Sequence, residues 1–176
     1  MALLTDILSG YFDKLLLAPI HRISVLLGSL LMAGTRALVQ VLVIVGLALV
    51  LGVSFKGGVL GIMTVIVAAT VFGIAWACLG LIIALKSKNA QVTQASWLLF
   101  MPIIFLTSAF MPKELLSGWF KVAVTLNPVD YVLHGVRTIV IEGWVWDSIL
   151  PGLWALLALT FGLTAAATWL YQRATL

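Results

Sequence analysis

Charge is what this sequence has least of: Lys, Arg, Asp and Glu make up 9% of its 176 residues, against about 25% in an ordinary soluble domain. Hydrophobic residues reach 63% and the mean hydropathy is +1.21. A chain this poor in charge belongs in a bilayer. At about 20 apolar residues per helical crossing its length admits a handful of spans and no separate soluble domain. Cysteine is nearly absent too. Cys78 stands alone, which excludes a disulfide within the chain, and in its apolar run it reads as a small hydrophobe.

The tools of chemistry are missing as well. The net charge of +4 is not gathered into a Lys/Arg-rich block or a basic helix with interleaved aromatics, so nucleic acid is excluded as a partner. No paired carboxylates, Ser/His arrangement or His/Asp/Glu cluster lies in or beside an apolar run, and His21 and His134 are far apart. No Gly-rich loop ending in Lys-Ser/Thr offers a phosphate cradle. The chain therefore reads as no enzyme, with no cofactor and no metal, and its energy comes from a partner or a gradient. All six acidic residues fall outside the apolar runs, which argues against proton- or sodium-coupled carriage. A permease driven by a separate ATPase, a non-catalytic scaffold and a passive channel remain open. The opening MALLTDILSG carries Asp6 in place of a basic n-region, so a secretory signal is not expected.

What is present is a series of apolar runs separated by short polar stretches. Residues 10–28, GYFDKLLLAPIHRISVLLG, are the most polar part of the N-terminal half, and Pro19 is expected to end or kink a helix there. The apolar stretch from Ile23 to Phe55 as one helix measures about 50 Å at ~1.5 Å per residue, more than the ~30 Å hydrocarbon core. The first crossing is therefore expected at 38–55, with Arg36 at its inner boundary, free to snorkel to the headgroups. The second is expected at 59–85. There Ala69, Gly73 and Ala77, and separately Gly57 and Gly61, recur every four residues and allow a neighbouring helix to approach closely. The third, 94–111, carries Pro102 near its middle, where a kink is expected. The last is 149–171, with Trp144, Trp146, Trp154 and Trp169 as interfacial anchors.

Between them lies 112–148, whose apolar residues recur at i, i+3, i+4 and predict two amphipathic helices. Asn127 reads as an N-cap, Pro128 as the first helical residue and Asp130 as an acid near the positive end of the helix dipole. Four crossings place both termini on one side. The ends and the 86–91 loop carry Lys14, Arg22, Lys86, Lys88 and Arg173, so by the positive-inside rule that side is cytoplasmic and 112–148 lies on the outer face. The fold class is all-α: a polytopic membrane bundle forming one transmembrane domain over 1–176, a multi-pass protein of the cytoplasmic membrane.

This order of elements resembles the membrane subunit of the type-2 ABC transporter family, which includes daunorubicin-resistance-like drug permeases and lipid or polysaccharide exporters. The stretch from Gly10 through Pro19 to Arg22 resembles that family's cytoplasmic coupling segment. Met111 and Pro112, with Asn127, Pro128, Asp130, Tyr131 and Arg137, are similar to its outer re-entrant helices. The resemblance implies a separate ATP-binding-cassette ATPase as partner, contacted through Phe12, Asp13, Lys14, Pro19, His21 and Arg22. It also implies a homo- or heterodimer of permease subunits and a hydrophobic drug, lipid or glycan as substrate. Family members usually carry an amphipathic helix and two crossings ahead of the coupling segment, and this chain begins near the cytoplasmic end of the second.

Overall fold

The computed structural model describes residues 22–87, 89, 91–92, 97–110 and 115–174, and no strand occurs among them. Six helices follow in order among the described residues: α1 Arg22–Val50, α2 Gly58–Ser87, α3 Trp97–Phe105, α4 Gly118–Leu126, α5 Pro128–Ile141 and α6 Trp146–Ala174. Within hydrocarbon a backbone must satisfy its own polar groups, which favours helices wherever apolar runs are long. Hydroxyls inside those runs are satisfied locally. Thr35, Thr64, Thr70, Thr160 and Thr168 each donate to the carbonyl four residues earlier.

Among the described residues three segments are long and apolar enough to cross a membrane: Leu26–Val50, Gly58–Ser87 and Trp146–Arg173. α1 is unbroken, so the residues ahead of the first expected crossing and most of that crossing form one helix, and 51–55 lie beyond its end. Arg36 is exposed on its outside. Of the expected crossing at 94–111 the described helix is α3, nine residues with Pro102 inside it. That is about 14 Å at ~1.5 Å per residue, too short to span alone. It ends where hydroxyls take over from the ladder. The Leu106 N–H still reaches the Pro102 carbonyl, but the Thr107 hydroxyl takes the Ile104 carbonyl at 2.6 Å and the chain turns through 106–110.

α2 is central. α1 runs antiparallel to it, with Gly34 beside Ile74 and Gly73 beside Ala37, whose Cβ lies 2.6 Å from where a Cβ on Gly73 would stand. α6 runs parallel to α2. Trp144, just ahead of α6, donates to the Gly57 carbonyl at one end (3.2 Å), and Cys78 Sγ lies 3.7 Å from Thr164 Oγ1 near the other. α5 folds back on α6, and their backbones meet where Gly152 faces Gly135 and the Tyr131 carbonyl. Val65, Ile139 and Ile149 pack together there, flanked by Val136 and Val140. The four-residue spacings thus serve two neighbours: Gly73 admits α1, whereas Gly57 and Gly61 face Ile139 of α5.

Candidate functional site

Of the residues singled out by resemblance, Phe12, Asp13, Lys14, Pro19, His21 and Pro112 lie outside the described residues, and Arg22 opens α1. The others, Asn127, Pro128, Asp130, Tyr131 and Arg137, fall on α5 or its cap. They are brought to one place.

Asn127 has extended backbone (φ −79°, ψ 113°), and its side-chain oxygen accepts the Val129 N–H at 3.0 Å, with Pro128 opening the helix. This is the N-cap geometry that the local order of residues predicts. The other half of the same side chain turns outward. Asn127 Nδ2 donates to the Ile103 carbonyl at 2.8 Å and to the Leu106 carbonyl at 2.7 Å, so one amide caps both the start of α5 and the end of α3. Asp130, in the first turn and 0% exposed, accepts the Ser108 N–H at 2.6 Å. Two helical turns on, Arg137 donates to the Ser108 carbonyl at 3.2 Å and the Ala109 carbonyl at 3.4 Å. The Tyr131 hydroxyl donates to the Thr125 carbonyl at 2.8 Å and ties α4 to α5.

The common target is backbone. Thr107 and Ser108 are buried, so the peptide groups of the 106–110 turn need partners from within the protein, and α5 supplies them in side chains. The opposite end of α5 is closed differently. The Thr138 carbonyl takes the N–H groups of Glu142 (2.8 Å) and Gly143 (2.9 Å). The next two carbonyls, Ile139 and Val140, take those of Gly57 (3.1 Å) and Lys56 (3.0 Å) from the α1–α2 turn. Gly143 sits at φ +94°, a conformation that favours glycine, and its Cα faces the Lys56 carbonyl.

The arrangement is a helix-end clamp. The hydrogen bonds described for Asn127, Asp130, Tyr131 and Arg137 all go to backbone groups, and among the described residues no group of three His, Cys, Asp or Glu is placed to hold a metal ion. The residue types at 127–137 are prominent in the sequence, whereas their partner turn is not. Thr107 and Ser108 at the end of an apolar run are the one local hint that the helix stops there.

The family model of the ABC-2 type transporter matches residues 1–141, which takes in both the 10–28 segment and the 127–137 clamp. The chain is 31% identical over 137 residues to the daunorubicin resistance ABC transporter permease protein DrrB1 of Streptomyces coeruleorubidus, covering 76% of this chain and 47% of that one. It is 28% identical over 141 residues to the probable doxorubicin resistance ABC transporter permease protein DrrC of Mycobacterium tuberculosis, covering 80% and 51%. It is 24% identical over 149 residues to the putative transport permease ycf38 of Cyanophora paradoxa, covering 80% and 49%. The chain spans about half the length of the curated relatives it matches. No solved structure matches it. With helices long enough to cross a membrane and a family match that runs through both polar segments, the chain belongs to the ABC-2 type transporter family.

Proposed function

We propose that this chain is the membrane subunit of an ATP-driven exporter in the cytoplasmic membrane, with hydrolysis performed by a separate ATP-binding-cassette chain. The observation that carries the reading is the family match over 1–141, because it includes the polar 10–28 segment that an apolar protein otherwise has no use for. Phe12, Asp13, Lys14, Pro19, His21 and Arg22 form the coupling contact with the ATPase. Two permease subunits pair in the bilayer, and hydrolysis rocks the coupling segment together with α1. The relatives named for daunorubicin and doxorubicin resistance favour a hydrophobic drug as cargo, within a class that extends to lipids and glycans.

The direction of the long helices supports four crossings with cytoplasmic termini. α2 and α6 start at the same end of the bundle, so the chain between Ser87 and Trp146 has to return across it once. The segment at 94–111, with α5 completing the rise, is that passage. Arg22, Lys86 and Arg173 then stand at one end, the cytoplasmic one. Pro112 and the helices that carry Asn127, Pro128, Asp130, Tyr131 and Arg137 belong to the outer half.

The test is co-purification with a co-expressed ATP-binding-cassette ATPase. Asp13→Lys combined with Arg22→Glu is expected to abolish docking and the permease-stimulated component of ATP hydrolysis. Unchanged docking and unchanged stimulation sink the coupling assignment.

A further inference from the structure

α5 is held at both ends by different means, and the two attachments reach different parts of the chain. Asn127 at its start, Asp130 in its first turn and Arg137 two turns on hold the backbone of 103–109 at the end of α3. At its finish, the carbonyls of Ile139 and Val140 are capped in trans by the N–H groups of Gly57 and Lys56, which belong to the turn between α1 and α2. In between, α5 is 14 residues long, about 21 Å at ~1.5 Å per residue. It is seated on α6 so closely that a Cβ on Gly152 would stand 2.6 Å from the Tyr131 carbonyl.

We propose that α5 is a strut that ties the buried 106–110 turn to the α1–α2 turn at Lys56 and Gly57, so that the two turns loosen together. The physical ground is shared restraint. A helix closes its interior hydrogen bonds itself and leaves orphan groups only at its ends. Here the last carbonyls are completed by the α1–α2 turn, while the first free N–H is completed by Asn127, the same side chain that reaches the end of α3. Asn127 makes the link tight at one end, since the amide that starts α5 also finishes α3. When that amide is lost, α5 frays from its first turn, and the carbonyls of Ile139 and Val140 lose the fixed position that the Lys56 and Gly57 N–H groups require. Trp144 Nε1 on the Gly57 carbonyl and the Ile139 side chain against Gly57 and Gly61 make the far junction equally dependent on where α5 ends.

Hydrogen exchange on the purified full chain in lipid nanodiscs tests it, read on peptides covering 53–61 and 104–110. Asn127→Ala is expected to speed exchange in both segments by about tenfold, the loss of one to two net hydrogen bonds from each, while the middle of α2 is unchanged. Gly57→Ala, whose Cβ would meet the Ile139 carbonyl at 2.9 Å, is expected to loosen 104–110 in return. Arg137→Gln leaves the N-cap intact and serves if Asn127→Ala does not fold, and Arg137→Lys is expected to restore part of the protection at 53–61. If each variant speeds exchange only in the turn it touches, α5 is not a strut.

Discussion

Asn127 makes an unusual demand on its side chain, because three backbone groups, one in α5, one in α3 and one in the turn after α3, use it at once. Asn and Asp are near-equal N-caps on intrinsic preference, so an N-cap alone tolerates Asn127→Asp. Here the exchange keeps the acceptor for Val129 but replaces the amide donor with an oxygen aimed at the Ile103 and Leu106 carbonyls. Asn127→Asp is therefore expected to cost about 2–4 kcal/mol, as much as Asn127→Ala, through two unsatisfied carbonyls and the repulsion of a third oxygen. Thermal unfolding of the detergent-solubilised protein checks this, and a stability equal to that of the parent excludes the double cap. The sequence displays half of this residue's role. The order Asn-Pro-X-Asp is a local signal and announces the N-cap, whereas the partners of the amide lie 21 and 24 residues away and are peptide groups, which carry no side-chain signature.

Among the elements, close approach of α5 to α6 depends on one glycine more than on its neighbour across the contact. A Cβ on Gly152 would lie 2.6 Å from the Tyr131 carbonyl and 3.3 Å from Gly135 Cα, whereas one on Gly135 would meet nothing nearer than 3.6 Å. Gly152→Ala is expected to destabilise by about 1–3 kcal/mol through forced separation of the helices. Gly135→Ala, gaining helix propensity at ordinary contact distance, is expected within about 1 kcal/mol of the parent. Equal unfolding temperatures for the two variants refute the asymmetry. Spacing rules see small residues but not which of a facing pair carries the constraint. The same holds for Gly57 and Gly61: their spacing signals a close neighbour, but that the neighbour is Ile139 of α5 follows from the fold. Helix length is less legible in the sequence than helix type. The apolar run at 94–111 has the composition of one span, yet α3 stops at Phe105 because Thr107, Asn127 and Asp130 outcompete the helical ladder for the peptide groups of 103–109.

For the whole molecule, the decisive feature is that α2 and α6 run the same way while α1 runs against them. The Ser87 end of α2, the start of α1 and the last turn of α6 then share one end of the bundle, where the Arg173 guanidinium lies 4.0 Å from the centre of the Trp169 ring, an arrangement suited to a headgroup boundary. Lys56, Trp144 and Trp146 share the other end, with the two indole rings 5.6 Å apart. This bears on sidedness in a way that charge counting alone does not, since it fixes which polar segments must label together. In a Cys78→Ala background, Ser54→Cys and Lys86→Cys place single thiols at exposed positions near the opposite ends of the bundle. A membrane-impermeant maleimide added to intact cells is expected to label the thiol at position 54, and the thiol at position 86 only after lysis. The reverse pattern inverts the orientation and puts the 10–28 segment on the outer face, where no ATPase can reach it. Labelling of both from one side contradicts α2 as a complete crossing, and with it the parallel pairing that requires a further passage through 88–145.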